Sequence, residues 1–264
     1  MKKVLTIAGS DCSGGAGIQA DLKTFSSFGT FGMSVITSIV AENTFRVIEI
    51  QDIRVDMVEK QLIAIFEDIV PDAVKIGMLP SKEIMKCVAD FLKKNDAKNI
   101  VIDPVMYAKN GSALMDIENI DTLIKEIIPL AYVLTPNIPE AEEIAKMKIN
   151  NQEDMKEAAI KIHQMGCKNV LVKGGHSNED VACDILYDGK EFYKFCVEKI
   201  DTKNTHGTGC TYSSAIASNL ALGEKIEDAL NISKDYITNA IKHSLDIGKG
   251  HGPTNHFYKF FVKH

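Results

Sequence analysis

The sequence has no hydrophobic run approaching the ~18 residues that a membrane span needs, no Cys-x-x-Cys pair, no surplus of positive charge and no repeat, linker or low-complexity stretch. Each absence removes a class of protein. Without a long apolar run, no membrane partner is expected. The opening Met1-Lys2-Lys3-Val4-Leu5-Thr6 meets Asp11 too soon for the apolar core of a secretory leader, so a cytoplasmic location is expected. The 36 acidic residues outnumber the 30 basic ones, for a net charge of −6. A general nucleic-acid binder needs a basic face to gather phosphates, so no nucleic-acid partner is expected. A small anionic ligand needs only a few local donors and stays open. The cysteines are Cys12, Cys87, Cys167, Cys183, Cys196 and Cys210, without the spacing of a zinc site or a thioredoxin motif. A cytoplasmic chain of this size does not need disulfides, and most of these thiols are expected to be buried small hydrophobes. Two phosphate-binding signatures are also missing: the Walker A loop, and a Gly-x-Gly-x-x-Gly after the first strand.

What is present is 264 residues, 45% hydrophobic and 25% charged, the composition of a globular protein. One domain over 1–264 is expected, near the upper size of a single core. Short apolar runs read as strands: Val4–Ala8, Ser34–Val40, Val47–Ile53, Ala73–Met78, Asn99–Asp103, Ala131–Thr135 and Asn169–Lys173. Between them lie helical patterns over Ile18–Phe28, Met57–Ile69 and onward from Ser81. Two later strands, near Ala182–Tyr187 and Glu191–Val197, flank Asp188-Gly189, a strong hairpin signal. Helices follow over Cys210–Leu222 and Ile226–Leu245. Strands alternating with helices imply a mostly parallel α/β sheet, and apolar runs without alternation fit strands buried on both faces. Ligands in such sheets sit outside the carboxyl ends of the strands. That rule selects Gly9 and Asp11, Glu42 and Asn43, Gly77 and Met78, Asp103, Asn137 and Lys173-Gly174-Gly175.

The sharpest motif is Asn204-Thr205-His206-Gly207-Thr208-Gly209-Cys210-Thr211, at the start of a strongly apolar helix. Glycines there let a ligand approach the backbone, and the free amides with the helix dipole favour an anion. An ordinary capped helix start is the competing reading. Cys210, in the first turn, is expected to have a lowered pKa and to serve as base or nucleophile; a packed small residue is the alternative. Asp103 before Pro104 suits Mg²⁺ or a base, or a turn cap. Asn137 and Glu140 share a helix face, where they either hold a cation or form a capping box. Lys173 at a strand end is placed to reach a phosphate, and Lys75 is a weaker candidate of the same kind. His206 either touches that phosphate or merely sits in the loop.

Taken together, Thr6–Asp11, Ser13–Phe25, Lys75–Leu79, Asp103–Met106, Thr135–Glu142, Val172–His176 and the 204–211 loop resemble the hydroxymethylpyrimidine/phosphomethylpyrimidine kinases of thiamine biosynthesis, a branch of the ribokinase-like superfamily. The resemblance runs from Leu5 to the Gly248–His256 tail. It implies a three-layer α/β/α ribokinase-like fold, ATP with Mg²⁺, and a homodimer. It implies phosphorylation of 4-amino-5-hydroxymethyl-2-methylpyrimidine and then of its monophosphate. By the same matching the pyrimidine lies near Gly9, Asp21, Glu42, Met78 and Val105, with Glu42 on the ring's amino and nitrogen edge. Asn137, Lys173, Thr205 and Thr208 line the nucleotide side, and Asp103 and Glu140 the metal. Gly207 to Cys210 form the anion hole, with Cys210 as base.

A pyridoxal kinase of the same superfamily is the nearest alternative. The cysteine-type members of that group resemble this chain but carry a second cysteine after Asp-Pro-Val-Met, where this sequence has Tyr107-Ala108-Lys109. Ala41-Glu42-Asn43-Thr44 also looks more like the pyrimidine kinases. A non-catalytic pyrimidine-binding regulator is the other alternative. The stretch 106–115 with Gly111 is a candidate lid.

Overall fold

A computed structural model describes residues 1–107, 111, 113–175 and 181–260. Its centre is an eight-stranded sheet in the order β10-β9-β8-β7-β6-β5-β1-β2. The strands are β1 (Lys3–Ala8), β2 (Phe31–Ile36), β5 (Ala73–Ile76), β6 (Ile100–Ile102), β7 (Val133–Leu134), β8 (Val170–Val172), β9 (Val181–Tyr187) and β10 (Phe192–Glu198). The run from β2 to β8 is parallel; β9 pairs antiparallel with β8, and β10 with β9. Among the described residues no helix is long and apolar enough to cross a membrane.

The sheet is buried on both faces because its strand residues alternate between two apolar cores. Leu5, Ile7, Val74, Ile76, Ile100, Ile102, Leu134, Val170 and Val172 meet α2 (Val55–Phe66), α3 (Lys82–Lys94), α5 (Ile138–Ala145) and α6 (Gln152–His163). On that side the short α4 (Ile120–Thr122) sits within an irregular helical stretch over 117–130. Val4, Ala73, Val101, Val133, Leu171, Leu186 and Phe195 meet α7 (Thr208–Leu222) and α8 (Ile226–Lys242), with Phe25 of α1 (Gly17–Ser27) in the same core. The result is the expected three-layer α/β/α arrangement. Helix α7 is buried from Thr211 through Ala221, which its small and apolar residues allow on every side.

Two expectations need correction. The apolar run Ser34–Val40 is not one strand. It breaks at Thr37, whose amide bonds to Ala8 while its carbonyl accepts from Ile53 and its hydroxyl donates to Met78. Beyond that anchor, β3 (Ser38–Glu42) leaves the main sheet and pairs antiparallel with β4 (Val47–Asp52) as a separate hairpin. Hydrophobicity alone could not show the break, because Thr37 is as buried as its apolar neighbours. The second correction concerns the cysteines. Cys183 and Cys196 form a disulfide, and Cys12 is exposed. The pairing follows from register: Tyr187 faces Phe192 across the turn, so Cys183 faces Cys196 four rungs along. Asp188 fixes that turn by accepting from the amides of Lys190 and Glu191 at 2.8 and 2.7 Å.

Every parallel strand but one ends at a chemically equipped residue: Gly9 after β1, Gly77 after β5, Asp103 after β6, Asn137 just beyond β7 and Lys173 after β8. The exception, β2, ends at Thr37.

Candidate active site

At this carboxyl edge opens a cavity of about 650 Å³. Its lining includes Gly9, Glu42, Met78, Asp103, Val105, Asn137, Glu140, Lys173, Thr205, Gly207, Thr208, Gly209 and Cys210, so one cleft gathers all but one of the residues that the family resemblance assigned to the site, while Asp11, Asn43, Gly77 and Gly174 from the strand-end set do not line it. The exception is Asp21. It is fully buried behind the wall, accepting from Thr6 Oγ1 at 2.6 Å, Lys75 Nζ at 2.9 Å and Ser214 Oγ at 2.7 Å. Three acceptor bonds leave it facing its own donors rather than a ligand. Lys75, the weaker phosphate candidate, donates to Asp21 and also borders the cavity.

Lys173 and Asp103 form an ion pair in one wall of the cavity. Nζ donates to Oδ1 at 2.7 Å, and Thr135 Oγ1 approaches the same oxygen at 3.3 Å. The start of α7 packs directly on this pair: a Cβ placed on Gly209 would stand 3.2 Å from Asp103 Oδ2 and 3.5 Å from Lys173 Nζ. Next to it, Asn137 and Glu140 form the capping box that was one of the two readings of their spacing. Glu140 Oε2 accepts from the Asn137 amide at 2.8 Å and Asn137 Oδ1 from the Glu140 amide at 2.9 Å, a complete capping box on α5. Both residues also line the cavity. Burial pushes the Glu140 carboxyl up to about 7, with Lys173 opposing and Asp103 adding to the rise.

The turn before α7 has the backbone that its glycines suggested. Gly207 caps α7 in the left-handed region, φ 74°, and any side chain there would strike the Gly15 carbonyl. The Thr208 amide reaches Thr205 O at 3.3 Å, and its hydroxyl donates to the same carbonyl at 2.8 Å. The amides of Gly209 and Cys210 have no acceptor within the helix, and no side chain caps its start. They border the cavity with the positive end of the dipole behind them.

Cys210 departs from expectation. Burial pushes its thiol up to about 11; Lys75 opposes this, Asp21 and Asp103 reinforce it, and the Gly17 amide lowers it again. The helix terminus is present, but removal from water outweighs it.

His206, left open between a phosphate contact and a plain loop residue, borders the cavity and is tied to Asp11. Its Nε2 lies 2.8 Å from Asp11 Oδ2, which also accepts from the amides of Gly15 and Ala16 at 3.0 and 2.7 Å. Burial alone would raise the Asp11 carboxyl, yet His206 and Ser13 together hold it well below the usual carboxylate range. Glu42 completes this cluster, with the polar atoms of all three within 4.8 Å of one another. Burial, with the charge of Asp11 behind it and His206 against it, pushes Glu42 up to about 7.

Sequence reasoning missed one wall. Lys234, Ile237, Thr238 and Ile241 line the cavity from α8, joined by Val197 and Ile200. Lys234 Nζ donates to Asp184 Oδ2 at 2.7 Å, and Asp184 Oδ1 accepts from the Gly174 amide at 3.0 Å. The i, i+3, i+4, i+7 spacing of the α8 residues was the available signal, but it also fits plain core packing. The candidate lid falls partly outside the described residues; within them Tyr107 bridges Ala113.

Comparison with known proteins adds an independent line. A family model described as phosphomethylpyrimidine kinase matches residues 11–255. A thiamine biosynthesis bifunctional protein, ThiED, of Geobacter sulfurreducens is 48% identical over 96% of this chain, which spans about half, 52%, of that relative's length. A hydroxymethylpyrimidine/phosphomethylpyrimidine kinase of Bacillus subtilis is 44% identical over 97% of this chain and 94% of its own. Among solved structures, a phosphomethylpyrimidine kinase from Clostridium difficile 630 superposes with a TM-score of 0.82 at 52% identity, covering 91% of this chain and 100% of that one. A pyridoxal kinase from Staphylococcus aureus, in complex with AMP-PCP and pyridoxal, superposes with a TM-score of 0.92 at 37% identity, covering 100% and 96%.

The buried Lys173–Asp103 pair makes a prediction about stability. Lys173→Met strands Asp103 without a partner and is expected to cost ~3–5 kcal/mol in urea unfolding. The double variant Lys173→Met/Asp103→Leu is expected to recover most of that loss. Strictly additive penalties would show that the two side chains are not coupled.

Proposed function

The chain belongs to the phosphomethylpyrimidine kinase family, and from that premise we propose that it transfers the terminal phosphoryl group of ATP to 4-amino-5-hydroxymethyl-2-methylpyrimidine and then to the monophosphate, in thiamine biosynthesis. The observation that carries this reading is the contact of the α7 start with Lys173 and Asp103, in the cavity that also holds Glu42 and Cys210.

Phosphoryl transfer passes through a loose transition state, so the protein's part is positioning and charge stabilisation. Lys173 and the amides of Gly209 and Cys210 meet the transferring phosphates, with Asn137, Thr205 and Thr208 along the same side. The apolar Val197, Ile200, Ile237 and Ile241 suit the base of ATP. Mg²⁺ fits the oxygen set of Asp103 and Glu140: Glu140 is a hard donor whose carboxyl is raised partly by its acidic neighbour, so added positive charge relieves the strain between them. When bound there, the ion neutralises phosphate charge. Gly9, Met78 and Val105 enclose the pyrimidine ring. Glu42 faces its amino and nitrogen edge. Cys210 takes the proton of the hydroxymethyl group.

The same neighbourhood supports a second reading, side activity on pyridoxal, because pyridoxal kinases match this chain from end to end. Measuring kcat/KM for both substrates ranks the two activities, and a larger value for pyridoxal would reverse the assignment. A pyrimidine-binding regulator would bind without consuming ATP, so pyrimidine-dependent release of ADP excludes it. We further propose a homodimer in the cytoplasm. Exposed Ile39, Phe45 and Ile48 on the β3–β4 hairpin give a second copy an apolar surface to cover. Light scattering at twice the chain mass is the expected result, and a monomer would refute it.

Two predictions follow from the protonation states. Cys210→Ala is expected to lower kcat by ~10²–10⁴ while calorimetry still detects pyrimidine binding. A thiol with a pKa near 11 is a base only in its minor, ionised form, so wild-type turnover should climb as pH rises above neutrality. A fully active alanine variant would remove Cys210 from the reaction. For Glu42, the protonated acid donates to a ring nitrogen while its carbonyl oxygen accepts from the amino group. That form prevails below about 7 and is lost as pH rises through it, so KM for the pyrimidine should increase above neutrality. Glu42→Gln keeps one donor and one acceptor, and should bind with a KM independent of pH. An unchanged pH profile in that variant would assign the titration elsewhere.

A further inference from the structure

The hairpin that carries Glu42 stands apart from the main sheet, and a two-stranded hairpin is only marginally stable on its own. Its base is secured by the Ser10 amide on Ser38 O and the Ile53 amide on Thr37 O, each at 2.9 Å. Its far end is secured by a distant part of the chain. Beyond α8, residues 245–253 form a loop closed by the Leu245 amide on Pro253 O at 3.1 Å. The tip of that loop meets Thr44, two residues past Glu42. There the Gly250 amide donates to Thr44 Oγ1 at 3.1 Å and the His251 amide to Thr44 O at 2.9 Å. A side chain at Gly250 would strike the Thr44 carbonyl, so the contact is one between backbones.

The other side of the loop holds the turn before α7. The Gly252 amide donates to Asn204 Oδ1 at 3.1 Å, and the His206 amide donates to Gly252 O at 3.1 Å. Just past the loop the chain enters the core: Thr254 is fully buried, the Asn255 amide donates to Ala240 O at 3.0 Å, and His256 Nε2 lies 3.0 Å from Thr211 Oγ1. The loop is thus rooted in the core and reaches two neighbours of the substrate side, the Glu42 hairpin and the His206 turn. Among the described residues, none of 245–253 lines the large cavity. A second cavity of about 270 Å³ separates loop from hairpin, bordered by Asn43, Thr44, Gly248 and His206. With that space between them, the hydrogen bonds at Thr44 set their distance more than packing does.

We propose that the 245–253 loop, with Thr44 as its contact, is a positioning element for the substrate: by clamping Thr44 and the 204–206 turn together, it fixes Glu42 relative to the start of α7. The consequence for turnover rests on the reading of Glu42 as the residue that faces the pyrimidine edge. Glu42 sits at the end of β3, where the register with β4 shifts between Ala41 and Glu42, so the strand pairing alone does not hold it in line. The bonds of the loop go to the substrate side. Loosening the clamp therefore weakens the hold on the pyrimidine and spares the hold on ATP.

The test compares the two KM values in variants that touch no ligand. Gly250→Ala pushes the loop tip off the Thr44 carbonyl. Thr44→Ala removes the hydroxyl that accepts from Gly250, and Thr44→Ser restores it. Gly250→Ala and Thr44→Ala are each expected to raise KM for the hydroxymethylpyrimidine about tenfold, the scale of one lost hydrogen bond. KM for ATP should stay within about twofold, and Thr44→Ser should return to wild type. Hydrogen exchange followed by mass spectrometry reads the clamp itself, and the amides of 42–46 should exchange faster in Gly250→Ala. A merely structural contact would lower the melting temperature without separating the two KM values. Both KM values rising together, or neither moving, overturns the proposal, as does faster exchange with an unmoved pyrimidine KM. If Gly250→Ala does not fold, as judged by circular dichroism, Thr44→Ala and Thr44→Ser decide by the same criteria. If the wild type shows no pyrimidine-dependent turnover, the kinase reading fails and exchange alone decides the clamp. Unchanged protection of 42–46 in Thr44→Ala and Gly250→Ala then overturns it, and faster exchange supports it.

Discussion

An ammonium and a carboxylate 2.7 Å apart, both largely withdrawn from water at the carboxyl edge of a parallel sheet, fix the wall of the cavity where we propose that phosphate is received. Lys173 and Asp103 stand at the ends of β8 and β6, two strands apart, and the start of α7 closes over them. Neither side chain can leave the other without stranding a buried charge, so the two strand ends and the helix start are fixed together. Preorganisation of this kind is what a loose phosphoryl transfer requires, since little is left for the protein to do once charge and distance are set.

The same device recurs twice. Lys75–Asp21 joins β5 to α1, and Lys234–Asp184 joins α8 to β9 at the cavity's edge. Each side chain in these pairs is largely or wholly buried. Buried ion pairs are poor contributors to stability compared with apolar packing. Three of them around one cavity make sense as fixed dipoles that set local potential and hold walls in register. The Asp11–His206 contact performs a similar service between the turn before α1 and the turn before α7.

Much of this was legible in the sequence, for reasons that differ by residue. The parallel sheet showed itself because strands buried on both faces are apolar without alternation, and the site followed from the rule that ligands gather at their carboxyl ends. Gly207 and Gly209 were legible because a left-handed cap and a close approach admit little else. The same strand-end rule marked Glu42 and Met78, but their roles, and the choice of Val105, came only from family resemblance. What escaped depended on three-dimensional context. Thr37 ends a strand through hydrogen bonds to distant residues, Asp21 is turned inward by Thr6, Lys75 and Ser214, and Cys183 meets Cys196 only once the hairpin register is known. The expected lowering of the Cys210 thiol failed because a helix terminus was weighed without the burial around it.

If the packing of α7 on the Lys173–Asp103 pair creates the receiving site, filling the small space between them should stop the reaction without unfolding the chain. Turnover of Gly209→Ala with ATP and the hydroxymethylpyrimidine tests this most directly. The added methyl group meets Asp103 Oδ2 at 3.2 Å and Lys173 Nζ at 3.5 Å, beside the amides we propose receive the phosphate. The account predicts a loss of about 10²–10³ in kcat, the scale of one lost oxyanion donor, with a melting temperature within a few degrees of wild type. Wild-type turnover in that variant would contradict it.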